Sequence, residues 1–306
     1  MAPARRRPSA VLIVNPNAGR LNETTRSEVI AALRARFNVD AYSTTSRDSG
    51  ITIAADAAEA GAALVVAFGG DGHVNEVANG LAGTHASLGV IPGGTMNVFA
   101  QSLGVPVDPF QAISHLERSL QREPRRVPLG LIDDRYFTFS AGCGFDAEAA
   151  NRVERYVPSK RRFGELFFYW SAFRVLAGSY RHRSPWMTLK GEFGEVRVVM
   201  TIASNAGPYA YLAGRAIHIA PDVRLDGGID VFALKTMRVE NLPSYALRCL
   251  LTGDVAHHPD AFYASDIEWF ELSADGPFER HVDGEPLPAS STARFSVAPG
   301  ILKVRA

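Results

Sequence analysis

The sequence has very little cysteine. Cys143 and Cys249 are the two cysteines in a chain of 306 residues. Two cysteines cannot build the disulfide framework that small secreted domains depend on, and isolated thiols are typical of a reducing compartment. We therefore expect a cytoplasmic protein whose stability comes from a buried core, for which 46% hydrophobic residues provide ample material.

The chain also lacks an excess of charge and a long apolar run. Its 32 basic residues balance 32 acidic ones, so we expect no nucleic-acid partner. No stretch approaches the roughly 20 consecutive apolar residues that cross a bilayer, so we expect no transmembrane span. Arg5, Arg6 and Arg7 resemble the start of a secretory signal, but the apolar segment SAVLIV that follows is too short for one.

The two commonest nucleotide-binding signatures are missing as well. No glycine-rich loop ends in Gly-Lys-Ser or Gly-Lys-Thr, and no strand is followed by G-x-G-x-x-G. A simple P-loop NTPase and a Rossmann dehydrogenase are both disfavoured.

What is present is an alternation of strands and helices, followed by a change of pattern. Residues 8–128 alternate the apolar strands SAVLIVNP, VDAYST, ALVVAFGG and SLGVIP with helical segments. This alternation predicts an α/β domain with a parallel sheet. The charged stretch REPRRVP, residues 122–128, has the composition of a linker. Short strands separated by turn residues predict a β-rich second domain over residues 129–299, interrupted by one helical insertion from Lys160 to Leu176. A final strand over residues 300–306 is placed to return to the first domain.

The third strand is followed by GGDGHVNE, Gly69–Glu76. Glycines let phosphate oxygens approach the backbone, and the amides that open a helix attract anions. Asp71 could hold Mg²⁺ or accept a proton from an attacking hydroxyl. The alternative is an ordinary strand–helix turn that Asp71 caps.

Other polar turns follow neighbouring strands. PGGTMN follows the fourth strand, where Thr95 and Asn97 could contact a phosphate or a sugar, or Thr95 could simply cap a helix. NPNAG follows the first strand, and Thr44 and Thr45 end the second, where a plain turn and a plain strand end are the alternatives. Ligands of open α/β sheets bind at the carboxyl ends of strands, so the combination favours phosphate chemistry.

Three acidic turns lie in the β-rich part. Asp146 in AGCGFDAEA could face a cleft or cap the helix after it. Asp226 in VRLDGGIDV could form a hairpin turn, or join backbone carbonyls around a hard cation. Asp283 and Glu285 in HVDGEP bring two carboxylates together, or form another hairpin turn.

Taken together, these motifs resemble the diacylglycerol kinase catalytic family, which includes sphingosine, ceramide and bacterial lipid kinases. NPNAG, GGDG-x-x-NE, PGGT-x-N-x-FA, AG-x-GFDA, LDGGIDV and DGE occur here in the family's order, from about Val11 to the carboxyl terminus. The resemblance implies an α/β nucleotide-binding domain, a β-rich sandwich-like lipid domain and an active cleft between them. It also implies ATP, Mg²⁺ and a lipid hydroxyl as acceptor.

The resemblance assigns roles to particular residues. Glu285 matches the proton acceptor of bacterial members, with Asp71 as the alternative base. Asp226 matches a Mg²⁺ ligand, helped by the carbonyls of Val223 and Gly228. The implied nucleotide-binding residues are Asn15, Thr45, Gly69, Gly70, Asp71, Gly72, His73, Asn75, Gly94, Thr95 and Asn97.

One position departs from the family pattern, because His73 stands where members usually carry threonine. Its ring N–H could donate to a phosphate oxygen. Alternatively, His73 occupies an exposed helix N-terminus without contacting the nucleotide, or it marks altered nucleotide use.

We therefore expect an ATP-dependent lipid kinase of phospholipid biosynthesis, with a diacylglycerol-like acceptor, at the inner face of the membrane. The segment KRRFGELFFYW, Lys160–Trp170, combines cations and aromatics that suit an anionic membrane surface, although a core helix is the alternative. An NAD kinase-like enzyme and a non-catalytic nucleotide or lipid sensor are the rival functions. Exposed edges of the β-rich domain would allow a homodimer.

Overall fold

The computed structural model describes residues 7–16, 22–149, 184–212, 215–249 and 253–306. The chain divides into two compact units. The first comprises Met1–Val127 with Gly300–Ala306, and the second comprises Pro128–Pro299. In the described parts of the chain, no helix is both long enough and apolar enough to cross a membrane.

The first unit has a parallel sheet with helices between its strands. Its strands are β1 (Ser9–Val14), β2 (Asn38–Ser43), β3 (Leu64–Gly69) and β4 (Ser87–Pro92). Strand β1 pairs in parallel with β2 and β3, and β3 pairs in parallel with β4. The helices are α1 (Glu23–Arg36), α2 (Ser49–Glu59), α3 (Asp71–Leu81), α4 (Val98–Ser102) and α5 (Pro109–Ser119).

The sequence explains these elements locally. Every residue of β3 and of β4 is buried, as expected for parallel strands covered on both faces. Asn22 caps α1 by accepting a hydrogen bond from the Thr25 amide at 2.8 Å. Asp108 caps α5 in the same way, and Pro109 supplies the fixed φ that suits the first helical position.

The second unit is mostly antiparallel. Strand β5 (Arg125–Ile132) starts in the first unit and ends in the second. The strands that follow are β6 (Arg135–Phe137), β7 (Ser140–Gly144), β8 (Met187–Gly191), β9 (Gly194–Val198), β10 (Met200–Ser204), β11 (Ala210–Leu212), β12 (Arg215–Ile217), β13 (Ile229–Leu234), β14 (Ala261–Ile267), β15 (Trp269–Val282) and β16 (Glu285–Val304). Strand β10 pairs with β7 and β13, β13 pairs with β14, and β15 pairs with β7, β8 and β16. A short helix, α6, covers Leu242–Leu247. The core includes Phe270 and Phe295, whose rings stack with centroids 4.4 Å apart.

The end of β16 belongs to the first unit. Lys303 and Val304 pair in parallel with Ser87 and Leu88 of β4. The predicted fold class, an α/β unit with a parallel sheet followed by a β-rich unit, is confirmed by this architecture.

Two predictions about elements are wrong. The stretch 122–128 is not all linker, because β5 begins at Arg125, and Val127 is buried despite its charged neighbours. The segment VRVVMTIASN reads from its apolar residues as one of the predicted short strands. It forms two, since β9 pairs with β8 and β10 pairs with β7. The break falls at Val199, which is apolar and buried and therefore leaves no mark in the pattern. The predicted helical insertion from Lys160 to Leu176 lies outside the described residues.

Candidate active site

The first glycine turn opens helix α3. Strand β3 ends at Gly69, Gly70 is the N-cap, and the first helical hydrogen bond joins the Val74 amide to the Gly70 carbonyl at 3.0 Å. The amides of the first helical turn have no acceptor within their own helix. Such a helix N-terminus, preceded by glycine, is suited to bind an anionic group.

The second glycine turn packs directly against the first. The Gly93 amide donates to the Gly69 carbonyl at 2.8 Å. A Cβ atom on Gly94 would lie 2.5 Å from the Cα of Gly70, a separation that only glycine permits. The two turns therefore form one continuous glycine-lined edge at the carboxyl ends of β3 and β4.

Two polar side chains fix this edge. Asn97 adopts a left-handed conformation with φ of 50°, and its buried amide both accepts from the Gly94 N–H at 2.9 Å and donates to the Gly94 carbonyl at 2.8 Å. Asp71 Oδ1 accepts from the Phe99 amide at 3.2 Å, in the first turn of α4. Thr95 is exposed and precedes the helix, so Asn97 rather than Thr95 is the N-cap residue.

His73 lies in the first turn of α3 but is not exposed. Its ring is buried, and Nε2 donates to the Ile13 carbonyl of β1 at 2.9 Å. Burial lowers the pKa of His73 below its usual 6.5, so the neutral ring is favoured. A neutral imidazole has one N–H, and here that N–H is used by Ile13. While it is bonded to Ile13, that N–H is not open to a phosphate oxygen. The prediction of an exposed His73 is wrong.

Glu76 is a residue whose role the sequence did not reveal. Its carboxylate accepts from the amides of Asp48 and Gly50, both at 2.9 Å. Asp48, the N-cap of α2, has φ of 62° and makes no side-chain cap of its own. Glu76 therefore supplies the negative charge that stabilises the N-terminus of α2. The only signal was the Asn-Glu pair that ends the GGDG-x-x-NE motif.

The remaining predicted nucleotide residues lie near the same ends of the strands. The Asn15 amide donates to the Phe68 carbonyl at 3.1 Å, at the ends of β1 and β3. Thr45 follows the end of β2, and its amide donates to Ser49 Oγ at 3.3 Å. Asn75 is buried in α3, and its Oδ1 accepts from Asn79 Nδ2 at 3.1 Å.

In the second unit, Glu285 follows a tight hairpin turn. Asp283 and Gly284 have φ of 49° and 81°, and Val282 pairs with Glu285 across the turn. Positive φ at both central positions is typical of a type I′ turn. The Asp283 carboxylate accepts four hydrogen bonds of 2.7–3.0 Å, from the Thr138 amide and hydroxyl and from the amides of Phe139 and Ser140. Asp283 is therefore an anchor for the turn, and Glu285 is the half-buried carboxylate that the turn presents.

Asp146 is buried in residues 145–149, which are helical. Its carboxylate accepts from the Tyr209 hydroxyl and from His281 Nε2, each at 2.5 Å. Neither bond is the backbone cap that one prediction envisaged.

The loop with Asp226 does not close a hairpin, because β13, which follows it, pairs with β10 and β14. The Gly228 amide donates to Asp266 Oδ1 at 2.7 Å, and the Asp266 amide donates to Asp230 Oδ1 at 3.0 Å. Burial raises the pKa of Asp230 above its usual value. No group of three metal-ligating side chains occurs among the described residues. One carboxylate from Asp226 with the carbonyls of Val223 and Gly228 is nevertheless an all-oxygen set that suits a hard cation.

Residues 9–132 match the family model of the diacylglycerol kinase catalytic domain, and residues 140–306 match the YegS C-terminal NAD kinase beta sandwich-like domain. A relative from Pseudomonas aeruginosa, named "probable lipid kinase YegS-like", is 30% identical over 92% of this chain and 89% of its own. A protein of Bacillus subtilis named diacylglycerol kinase is 29% identical over 90% of this chain and 92% of its own.

A solved structure agrees in fold. The crystal structure of a diacylglycerol kinase from Bacillus anthracis superposes with a TM-score of 0.74 at 23% identity, covering 99% of this chain and 98% of that one. The resemblance predicted from the motifs is confirmed, as is the sandwich-like class of the second unit. The chain belongs to the diacylglycerol kinase family of lipid kinases.

Proposed function

We propose that this lipid kinase transfers the γ-phosphoryl group of ATP to the hydroxyl of a diacylglycerol-like lipid. The observation that carries the proposal is the pair of interlocked glycine turns at the N-terminus of α3, where Gly94 lies against Gly70. That arrangement suits a chain of phosphates, because backbone amides can approach them without intervening side chains. Relatives named diacylglycerol kinase support the choice of acceptor.

The nucleotide would be bound by the carboxyl edge of the parallel sheet. The helix amides at Asp71, Gly72 and His73 would donate to phosphate oxygens, with the backbone of Gly69, Gly70 and Gly94 around them. His73 would contribute its backbone, since its ring donates to Ile13. The side chains of Asn15, Thr45 and Thr95 would contact phosphate or sugar, whereas Asn75 and Asn97 would hold the loops in place.

The reaction forms a bond between the lipid oxygen and the γ-phosphorus and breaks the bond from that phosphorus to the bridging oxygen of ADP. The hydroxyl proton passes to the Glu285 carboxylate, which a rigid turn presents half-buried. Asp71 is the alternative base, although one of its oxygens already accepts from the Phe99 amide. Positioning and charge stabilisation supply most of the catalysis in phosphoryl transfer.

Magnesium would be held in the loop before β13 by Asp226 and the carbonyls of Val223 and Gly228. Bound there, Mg²⁺ would supply positive charge that attracts these three oxygens and stabilises the loop. Chelation would then loosen this loop.

The acceptor is a membrane lipid, so the enzyme would work peripherally, on the cytoplasmic face where ATP is available. The cationic and aromatic segment Lys160–Trp170 is our candidate for the membrane contact and lies outside the described residues. A homodimer through an exposed strand such as β9, which pairs with β8 alone among the described strands, would also protect that edge.

The proposal is tested by ATP- and Mg²⁺-dependent phosphate transfer to a panel of hydroxyl lipids in mixed micelles. NAD serves as a soluble acceptor, because the second unit matches an NAD kinase beta sandwich-like model. Asp71→Asn is the negative control. Label in diacylglycerol that disappears in the variant supports the proposal. Label in NAD alone would favour the nucleotide kinase, and ATP binding without any transfer would favour a sensor.

A further inference from the structure

Three side chains of the second unit form a continuous hydrogen-bonded chain that ends at the turn before Glu285. The Tyr209 hydroxyl donates to Asp146 Oδ1, and His281 Nε2 donates to Asp146 Oδ2, both at 2.5 Å. The Gly284 amide then donates to His281 Nδ1 at 3.3 Å. Asp146 is 7% exposed and His281 is 2% exposed, so both groups are withdrawn from water.

The direction of these bonds indicates which nitrogen of the His281 imidazole carries hydrogen. A carboxylate accepts, so Nε2 must carry hydrogen, and an amide donates, so Nδ1 must offer its lone pair. A neutral His281 satisfies both neighbours at once. Asp146 thus orients the ring, and the ring in turn holds the backbone of Gly284, which directly precedes Glu285.

A glycine on the neighbouring strand β7 leaves space for the Asp146 and His281 side chains. Gly142 of β7 lies opposite His281 of β15. A Cβ atom at Gly142 would overlap both Asp146 Oδ2 and His281 Nε2. Buried polar pairs contribute little to stability compared with apolar packing of the same volume. The backbone nevertheless leaves room for the Asp146–His281 pair, directly beside the turn that precedes Glu285.

We infer that Asp146 and His281 are positioning residues that fix the orientation of Glu285 for proton acceptance from the lipid hydroxyl. Two supports then hold the Asp283–Gly284 turn. The Asp283 carboxylate is bonded to residues 138–140, and the Gly284 amide is bonded to His281. The inference rests on the proposed function, because it takes Glu285 to be the proton acceptor.

The first test is His281→Gln. Glutamine can still donate toward Asp146, but it places no acceptor where Nδ1 stood. We expect kcat for lipid phosphorylation to fall about 10- to 100-fold, the loss typical of a misplaced catalytic group. The KM for ATP should stay within about two-fold of wild type, because ATP is assigned to the first unit. His257→Gln is the matched control, since that ring is 69% exposed, and its kcat should be unchanged.

A second readout does not depend on activity. Amide hydrogen exchange at Gly284 should be at least about tenfold faster in His281→Gln, while exchange at Asp283, whose amide donates to the Ser140 carbonyl, should be unchanged. If the wild-type protein phosphorylates no lipid, the proposed function fails, and Gly284 exchange still decides whether His281 holds the turn.

The inference is overturned if His281→Gln keeps the wild-type kcat per folded molecule, even with a lowered melting temperature, since the role would then be structural. Unchanged Gly284 exchange would overturn it equally. Should His281→Gln not fold, Asp146→Asn preserves the shape of the site and is judged by the same two measurements.

Discussion

Asp283 and Glu285, separated by a single glycine, have different roles in this structure. The Asp283 carboxylate accepts four hydrogen bonds from residues 138–140. Glu285 lies just after the turn that those bonds anchor. We expect Glu285→Gln to lower kcat by about 10²–10⁴, because a positioned base is typically worth that factor. Asp283→Asn should instead lower the free energy of unfolding by about 1–3 kcal/mol, since it leaves buried amides poorly paired.

Lipid phosphorylation rates and urea unfolding of the two variants test this division of roles. Near-normal turnover in Glu285→Gln would remove that residue from proton transfer, and full stability in Asp283→Asn would contradict its role as an anchor.

His73 makes stability depend on pH. Burial lowers the pKa of His73 below 6.5, so the unfolded chain binds a proton more readily than the folded one. Stability from this residue is therefore present above pH 6.5 and is lost as the pH falls toward the lowered pKa. Urea unfolding at pH 7.5 and pH 5.5 should show a larger loss for wild type than for His73→Gln, whose amide can still donate to Ile13. Equal losses in the two proteins would show that His73 does not titrate in this way.

At the scale of elements, the proposed phosphate site depends on one close approach between two turns. A Cβ at position 94 would lie 2.5 Å from the Gly70 Cα, which is backbone and cannot rotate away. We expect Gly94→Ala to separate the turns that end β3 and β4 and to weaken ATP binding by at least about tenfold. Gly276→Ala is the control, because a Cβ there meets nothing within 4 Å. Calorimetric titration with ATP measures both, and equal affinity in Gly94→Ala would mean that the turns do not form the phosphate site.

Strands and turns differ in how well the sequence predicts them. Strand β3 was predictable because LVVAFG is continuously apolar and is buried at every residue. The glycine turns were predictable because their local composition is unusual. The break at Val199 was not, because Val199 is itself apolar and buried, like the residues of a continuous strand.

Roles that depend on distant parts of the chain also escaped prediction. His73 bonds to a carbonyl 60 residues away, and Glu76 accepts from an amide 28 residues away. Composition and periodicity describe neighbours along the chain, whereas these bonds depend on how α3 packs against β1 and α2. The Asp146–His281 contact spans 135 residues and was hidden for the same reason.

For the whole molecule, the central proposal is a lipid kinase that binds the ATP phosphates at the glycine turns of one unit and uses the anchored Glu285 of the other as the base. Its most direct test is conversion of diacylglycerol to phosphatidic acid by the purified chain with Mg²⁺ and ATP, followed together with ADP release. We expect one ADP per phosphatidic acid, and loss of both products in Glu285→Gln. ADP release without any phosphorylated lipid, or equal product from the variant, would contradict it.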